Sequence, residues 1–219
     1  MGTPVLKVEK LPSVRRLPTY LHLLRKLLEN GEEYISSVYL AEKTQVQPIL
    51  VRKDLELTQV SGIPRVGYSI PELIKGIEDF LGWGKDINAF LVGIEKIGNF
   101  ILNNRDLSDA GIKIVAAFDE DPQSFKKAFR EVPVFPVTRL SELLKRTQVR
   151  MAIICVPPEK AQKIADILTA SGIKGIWNFT SANLIVPDDV IVQKEDFASG
   201  LAVLSVKMSQ RDKEKDHIE

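Results

Sequence analysis

The sequence has little of the chemistry on which disulfides and metal sites depend. Its 219 residues include one cysteine, Cys155, and two histidines, His22 and His217. A single cysteine excludes an intramolecular disulfide, and so small a set of Cys and His argues against a zinc site. Because Cys155 lies in an apolar run, we expect a buried thiol. These absences predict a protein of a reducing compartment, the cytoplasm, that holds no metal.

Charge imbalance, long apolar runs and catalytic signatures are also missing. The net charge is +1, so any basic surface must be local. No apolar run approaches the roughly 18 residues of a membrane span, and residues 1–11 lack the apolar core of a signal peptide. No Ser/His/Asp arrangement, paired-acid signature or Walker loop is visible. We therefore expect neither a membrane partner nor an enzyme.

Helical periodicity dominates the first 82 residues. Apolar residues at three- and four-residue spacings predict a helix over 17–28, and Ser36 and Ser37 offer an N-cap for a second helix over 38–43. The turn ending at Gln47 leads into a third helix with Pro48 in its first turn. Three short helices followed by a possible hairpin over 61–68 indicate a helix-turn-helix with a wing. A further helix over 71–81 ends this winged-helix domain, predicted to span 1–82.

From residue 87 onward, apolar runs alternate with helical stretches, as a parallel sheet covered on both faces requires. The predicted strands are 88–92, 112–118, 132–135, 150–156, 174–178 and 190–193. The predicted helices are 96–103, 123–129, 139–146 and 158–171. This pattern predicts an α/β fold, with a doubly wound Rossmann domain over 83–194. Residues 195–219 form an amphipathic stretch, whose apolar face needs a partner such as an adjacent subunit, and a charged tail.

The first turn of this domain approximates the dinucleotide-binding fingerprint G-x-G-x-x-G. Its residues are Gly93, Ile94, Glu95, Lys96, Ile97 and Gly98. In the fingerprint the first glycine makes the turn, the second admits the pyrophosphate, and the third packs the helix on the strand. Here the second is Glu95, which places a negative charge where a helix N-terminus would favour phosphate. A phosphate could still be bound by the backbone amides of Ile97 or Gly98 at the start of the helix.

Three strand ends supply further candidate cofactor-binding residues. Asp119 follows Gly98 by 21 residues, about the distance of the acid that holds an adenosine ribose, and it favours NAD over NADP. The alternative is an ordinary strand-end turn. The other two ends carry Val156, Pro157, Asn178, Phe179 and Thr180, which either line a nicotinamide pocket or merely connect elements.

Basic residues lie where a helix-turn-helix would contact DNA. Arg52 and Lys53 lie on the third helix and Arg65 lies in the wing; residues 1–65 hold ten Lys and Arg against seven Asp and Glu. The third helix of such a domain enters the major groove, where arginine reads guanine and lysine holds phosphates. The alternative is that Arg52 and Lys53 pair with Asp54 and Glu56 on a solvated face.

Over nearly its whole length the chain resembles the Rex family of redox-sensing transcriptional repressors. The matching motifs are 16–20, 35–37 with Leu40-Ala41, 51–55, 66–68, 116–119 with Asp121-Pro122, Val156-Pro157 and 172–179. The resemblance implies a homodimer that exchanges its last helices and binds double-stranded operator DNA. It implies that NADH closes the dimer and releases DNA, whereas NAD⁺ competes without doing so. With the basic residues, the implied DNA-binding set is Ser36, Ser37, Gln47, Arg52, Lys53, Arg65, Gly67 and Tyr68.

The sequence departs from the family pattern both among the residues implied in dinucleotide sensing and among those implied in DNA binding. Asn104 replaces a tyrosine of the switch and His22 replaces an arginine, while the acid of that cluster is retained as Asp196. Leu50 stands where glutamine is common. We therefore expect a divergent repressor that responds to the NADH/NAD⁺ ratio. The alternative is a paralogue with weakened or lost sensing, whose Rossmann domain is a dimerisation scaffold. A third hypothesis, a small NAD-dependent oxidoreductase, lacks an acid/base pair and a substrate domain.

Overall fold

A computed structural model describes residues 11–83, 87–104, 107, 110–124 and 132–216. The chain divides into two compact units, Met1–Lys85 and Asp86–Glu219. Among the residues described, none of the helices is both long enough and apolar enough to cross a bilayer.

The first unit is a small helical domain with a two-stranded sheet. Its elements are α1 (Leu11–Glu29), β1 (Tyr34–Ile35), α2 (Ser37–Thr44), α3 (Pro48–Leu55), a 3₁₀ turn (Glu56–Thr58), β2 (Tyr68–Ser69) and α4 (Ile70–Leu81). Helix α1 begins six residues before the predicted start and runs through Pro18. The apolar repeat begins only at Leu17, so the first turns of α1 left no periodic signal.

The wing is built differently from the predicted hairpin. Strand β2 pairs antiparallel with β1, which precedes α2, rather than with a neighbouring strand. Within 61–68, only Ile63 and Gly67 bridge each other, around a tight turn. The predicted local hairpin is therefore reduced to this one antiparallel bridge, and β2 pairs with β1 instead of with a second strand of the wing. A strand of two residues is too short to show a period of two, so β1 could not be recognised from the sequence.

The second unit, within the described residues, is built on a six-stranded parallel sheet. Its elements are β3 (Ile87–Val92), α5 (Lys96–Asn103), β4 (Ile112–Asp119), β5 (Val134–Pro136), a 3₁₀ turn (Val137–Arg139), α6 (Leu140–Arg146), β6 (Met151–Ile154), α7 (Pro158–Ala170), β7 (Gly175–Asn178), β8 (Ile191–Lys194) and α8 (Phe197–Asp216). The predicted helix over 123–129 falls mostly on 125–131, outside the described residues.

The strand order is β5-β4-β3-β6-β7-β8, with every pair parallel. If the strands are numbered 1 to 6 within the unit, this is the 3-2-1-4-5-6 order of a doubly wound Rossmann sheet. The strands before and after the point between β3 and β6 are added to the sheet in opposite directions. Both sheet faces are covered. Phe90 and Val92 enter one core with the rings of Phe90 and Phe118 5.0 Å apart, while Leu91 enters the opposite core with Ile101.

Helix α8 carries apolar side chains that no other described residue of its unit covers. The exposed apolar residues on it are Leu201, Val203, Leu204, Val206 and Met208. A helix of this length with so many exposed aliphatic side chains requires a covering surface for stability in water.

An ion pair between the partly exposed Arg16 and the buried Asp54 connects α1 to α3 in the first unit. The Arg16 guanidinium donates from Nε and Nη2 to the two carboxylate oxygens of Asp54, each at 2.7 Å, and the Tyr20 hydroxyl donates to Asp54 Oδ2 at 2.7 Å. Asp54 is 0% exposed. Burial opposes its ionisation, but the hydrogen bonds from Arg16, Ser13 and Tyr20 and the Arg16 charge outweigh it, so the pKa of Asp54 lies below its usual value.

Replacing this carboxylate should unfold the first unit preferentially. We expect Asp54→Asn to cost about 3 kcal/mol of unfolding free energy, because it leaves a partly buried guanidinium without its charge partner. The measurement is urea unfolding of the full chain, with hydrogen exchange at α1 and α3 amides reporting the first unit. The matched control is Asp79→Asn, which removes an exposed carboxylate from the same unit.

The same interaction fixes a pH dependence. Since the pKa of Asp54 is lower in the folded than in the unfolded state, its contribution is complete above about pH 4 and is lost as the pH falls through the folded-state pKa. In Asp54→Asn this component of the acid sensitivity should disappear. If Asp54→Asn and Asp79→Asn had equal stability and equal acid sensitivity, the stabilising role of the Asp54 carboxylate would be contradicted.

Candidate dinucleotide cleft and nucleic-acid interface

A cleft of 310 Å³ opens at the carboxyl ends of β3, β4 and β6, where the strand order reverses. Doubly wound sheets bind ligands at this point. Five predicted cofactor residues line the cleft: Gly93, Glu95, Asp119, Val156 and Pro157. Six residues that were not predicted also line the cleft: Glu120, Asp121, Val137, Cys155, Lys160 and Ile164. Glu120, Asp121 and Cys155 adjoin predicted residues along the chain, whereas the tertiary packing brings Val137 and Ile164 to the cleft.

Gly93 and Gly98 meet the structural demands of the first and third fingerprint glycines. Gly93 has φ +93°, and a Cβ there would lie 2.8 Å from the carbonyl carbon and oxygen of Cys155. A Cβ at Gly98 would lie 1.9 Å from the carbonyl oxygen of Gly93. The first glycine therefore lets the turn lie against the end of β6, and the third lets α5 lie against the turn.

Glu95 sits at the N-cap of α5 with its side chain exposed at the cleft. Its φ of −67° and ψ of −139° lie outside the helical and extended regions, and its carboxylate makes no capping hydrogen bond to the helix. In the fingerprint, the glycine at this position lets a phosphate approach. Lys96, next along the chain, is the exposed first residue of α5 and Ile97 is half-buried.

Asp119 is held rigidly at the cleft. Its Oδ2 accepts from the Ile94 N–H at 2.7 Å, which joins the end of β4 to the turn after β3. Its Oδ1 accepts from the Asp121 N–H at 2.8 Å. Asp119 therefore closes a strand-end turn and also lines the cleft. That its carboxylate holds an adenosine ribose stays a prediction.

The cleft is acidic. Its lining carries the carboxylates of Glu95, Asp119, Glu120 and Asp121 against the single ammonium of Lys160. Lys160 forms a hydrogen-bonded ion pair with Glu120, which raises the pKa of Lys160 and lowers that of Glu120. Both side chains are exposed, so this pair is screened by water and salt. A pyrophosphate entering the cleft would meet like charge unless Lys160 turns toward it.

Cys155, the one cysteine, lines the same cleft but is poorly reactive. Burial raises its pKa to about 12, so the thiolate is a very small fraction near neutral pH. In the described residues, no cluster of three or more His, Cys, Asp or Glu side chains is arranged to hold a metal ion.

Asn178 and Thr180 hold the loop after β7 together and do not line the cleft. Asn178 Oδ1 accepts from both the backbone N–H and the hydroxyl of Thr180, at 2.9 and 2.8 Å, and its amide donates to the Ala182 carbonyl at 2.9 Å. Both residues are buried. Phe179 turns to the other side, where its ring lies 4.7 Å from that of Trp177.

A second cavity, of 300 Å³, lies beside the start of α8. Its lining includes Phe179 and two of the three predicted switch residues, Asn104 and Asp196. Asp196 Oδ1 accepts from the Ala198 N–H at 2.9 Å and so caps α8. His22, the third, is exposed on α1 in the first unit. That the three act together stays a prediction.

Helix α3 presents a basic face to solvent. Val51, Asp54 and Leu55 are buried, whereas Arg52 and Lys53 are exposed. The buried carboxylate of Asp54 is occupied by Arg16 and Tyr20, so the alternative in which it neutralises Arg52 or Lys53 is wrong.

The other predicted DNA-binding residues frame this face or form the wing. Gln47 is the exposed N-cap residue of α3, Ser36 caps α2 by accepting from the Tyr39 N–H at 3.0 Å, and Ser37 is the first residue of α2. Tyr68 is half-buried in β2 and pairs with Ile35.

The wing turn holds an arginine in an unfavourable backbone conformation. The Val66 N–H donates to the Ile63 carbonyl at 3.1 Å, which closes a turn with Pro64 and Arg65 at its centre. Arg65 has φ +65°, a region that favours glycine. Gly67 has φ +112°, and a Cβ there would lie 2.4 Å from the Ile35 carbonyl oxygen.

Comparison with known proteins matches both units. Residues 11–56 match the family described as "Putative DNA-binding protein N-terminus", and residues 84–182 match the "CoA binding domain" family. The redox-sensing transcriptional repressor Rex of Treponema denticola is 44% identical over 205 residues, which cover 94% of this chain and 98% of that protein. That of Bacteroides fragilis is 37% identical over 193 residues, 88% of each chain.

Solved structures agree over the full length. RSP, a Rex-family repressor, in complex with β-NADH has a TM-score of 0.84 and 32% identity, covering 98% of this chain and 99% of that one. RSP in complex with β-NAD⁺ and operator DNA has a TM-score of 0.83 and 32% identity, covering 98% and 97%. The predicted fold class is confirmed. The relatives are named as repressors, which confirms the prediction that the chain is not an enzyme.

Removing the charge at Glu95 should strengthen dinucleotide binding. We expect Glu95→Gly to lower the dissociation constant of NADH about tenfold, since like charges a few ångströms apart near a surface repel by roughly 1–4 kcal/mol. Calorimetric titration measures it. Glu95→Gln is the matched variant, because it removes the charge and keeps the bulk, and Glu142→Gln is the distant control. Unchanged affinity in both position-95 variants would show that Glu95 does not face the phosphates.

Two substitutions of Arg65 should separate the effect of its backbone strain on stability from the effect of its charge on DNA binding. We expect Arg65→Gly to stabilise the first unit by about 1 kcal/mol, because glycine adopts φ +65° freely. The same variant should weaken duplex DNA binding and reduce the salt slope by about one, as the loss of one phosphate contact requires. Arg65→Ala, which loses the charge and keeps the strain, should weaken DNA binding without the gain in stability. An unchanged salt slope in both variants would remove Arg65 from the interface.

Proposed function

The chain belongs to the Rex family of redox-sensing transcriptional repressors, and we propose that it represses transcription as a homodimer bound to operator DNA, from which NADH releases it. The observation that carries this proposal is the presence in one chain of two sites. One is a helix-turn-helix whose third helix exposes Arg52 and Lys53. The other is a switch-point cleft shaped by Gly93, Gly98 and Asp119.

DNA binding is assigned to the exposed face of α3 and to the wing. Arg52 and Lys53 supply the base and phosphate contacts from the helix, Gln47 lies at its N-terminus, and Arg65 reaches the backbone from the wing. Ser36 and Ser37 at the start of α2 contact the flanking phosphate, while Gly67 and Tyr68 support the wing. The operator complex of RSP, similar over 98% of this chain, supports this assignment.

Dinucleotide binding is assigned to the cleft. The backbone amides of Ile97 and Gly98 at the start of α5 face the pyrophosphate, and Asp119 accepts from the adenosine ribose. Val156 and Pro157 flank the cleft on the β6 side. RSP is known in complex with β-NADH and with β-NAD⁺, which supports NAD(H) as the ligand of this cleft.

Release of DNA by NADH is a coupling of two binding equilibria. NADH lowers operator affinity only if it binds the DNA-free conformation more tightly than the DNA-bound one, and operator DNA must weaken NADH binding by the same factor. NAD⁺ that binds both conformations equally shifts nothing, however tightly it binds.

Dimerisation is assigned to α8. Its exposed aliphatic side chains, among them Leu201, Leu204 and Met208, provide the apolar surface that an exchanged helix would bury against a second copy. We place this dimer in the cytoplasm, where a regulator of transcription in a bacterium meets its operator and where NADH reports the redox state.

The acidic lining of the cleft favours a second candidate, a DNA-binding paralogue with weakened sensing. Four carboxylates against one ammonium oppose the pyrophosphate, and Glu95 occupies the position where it would come closest. In that case the Rossmann domain acts as a dimerisation scaffold. The two candidates share the DNA-binding half and differ only in the response to NADH.

Fluorescence anisotropy with the full chain tests the proposal. The probe is a duplex selected by the protein from a random pool, and we expect nanomolar affinity that falls steeply with salt. Arg52→Ala should weaken this binding at least tenfold, whereas Lys75→Ala, an exposed cation on α4, should not change it. NADH should release the duplex and NAD⁺ should not. Release by neither nucleotide would establish the scaffold alternative, and no duplex binding at low ionic strength would refute both.

A further inference from the structure

The first turn of α3 carries apolar side chains that its own unit leaves in water. Ile49 is 50% exposed and Leu50 is 37% exposed, although both belong to the hydrophobic residues that folding normally buries. On the same helix Val51 and Leu55 are 0% and 1% exposed, so the helix does have a buried face. The exposure of Ile49 and Leu50 is a property of the opposite face.

Helical geometry places these side chains among the cations. Residues four apart lie on the same side of a helix, so Ile49 lies one turn before Lys53, and Arg52 lies beside both. The buried residues Val51, Asp54 and Leu55 define the opposite side. Ile49 thus lies near the centre of the exposed face, with Leu50 at its edge. An apolar patch within a basic face is complementary to a surface that is anionic at its rim and apolar at its centre.

The major groove of DNA presents such a surface. Phosphates form its rim, and each base pair offers hydrogen-bonding groups at its floor, but only thymine offers an apolar group, the 5-methyl. The N-terminal residues of a recognition helix are those that approach base edges. Ile49 and Leu50 have no hydrogen-bonding atoms in their side chains, so burial of a methyl group is the favourable contact that they can make there.

We propose that Ile49 and Leu50 select thymine in the operator by enclosing its 5-methyl group, while Arg52 and Lys53 hold guanine or phosphate beside it. This inference rests on the proposed DNA-binding function and specifies one part of the sequence that the protein reads. It predicts thymine at the one or two positions of each half-site that face the first turn of α3.

Replacement of thymine by deoxyuridine tests the inference. The substitution removes only the 5-methyl and keeps every hydrogen bond of the base pair. The full chain is titrated by anisotropy against its selected duplex and against duplexes in which each thymine in turn is deoxyuridine. At the facing positions we expect each missing methyl to weaken binding about threefold to fivefold, the effect of returning one methyl group to water. All other positions should be unaffected.

Variants of the protein test whether Ile49 and Leu50 cause the preference for thymine over deoxyuridine. Ile49→Ala and Leu50→Ala should bind the thymine duplex less tightly and should no longer distinguish it from the deoxyuridine duplex at the matching position. Because Ile49 is 50% exposed and Leu50 is 37% exposed, the variants should lose little stability, and urea unfolding of each variant checks this. Leu28→Ala, which shortens an exposed leucine on α1, should retain the full discrimination.

Two results would overturn the inference while leaving the proposed function intact. One is tight binding of a selected duplex whose affinity no deoxyuridine changes. The other is unaltered discrimination in both Ile49→Ala and Leu50→Ala. Failure of the wild type to bind any duplex at low ionic strength is a different outcome, since it refutes the DNA-binding function itself.

Discussion

The second unit depends on one close approach, that of α5 to the turn after β3. A Cβ at residue 98 would lie 1.9 Å from the carbonyl oxygen of Gly93, so any other residue would force the helix away from the strand. Gly93 in turn lets the backbone lie against the end of β6, and its neighbour Ile94 donates to Asp119 at the end of β4. Three strand ends are thereby held together, and the gap among them is the cleft. The geometry of a nucleotide site is built into the fold whether or not the phosphate position is kept.

Sequence patterns predicted the parts of this architecture that local rules determine. Helix α5 was predicted with the bounds that the structure shows, Lys96–Asn103, because the glycines of the turn and a short apolar run define both ends. The central strands β3 and β6 were recognisable as apolar runs, since both faces of the sheet are buried there. What the sequence could not provide depends on contacts between distant segments. The pairing of β1 with β2, the ion pair of Lys160 with Glu120, and the second cavity around Phe179 all require the strand order or the tertiary packing.

The chemistry of the cleft limits how a redox signal can be read. A thiol switch needs a cysteine that is a thiolate near neutral pH, and burial raises the pKa of the only cysteine to about 12. Cys155 is therefore poorly suited to act as a thiol switch. The acidic lining, in which Glu95 lies at the start of α5, opposes an anionic ligand. Because Glu95 makes no capping hydrogen bond to the helix, its carboxylate can be replaced without loss of such a bond.

In the first unit, α3 has one side that is fixed to α1 and another side that is exposed to solvent. Asp54 is buried and fixed by Arg16 and Tyr20 of α1, whereas Arg52 and Lys53, next to it in sequence, are exposed. A bidentate guanidinium–carboxylate pair tolerates little rotation, so it fixes the angle at which α3 turns about its own axis. That angle decides which side chains of α3 face solvent. A change that loosens the Asp54 carboxylate would therefore alter the orientation in which Arg52 and Lys53 are exposed, even when both side chains are retained.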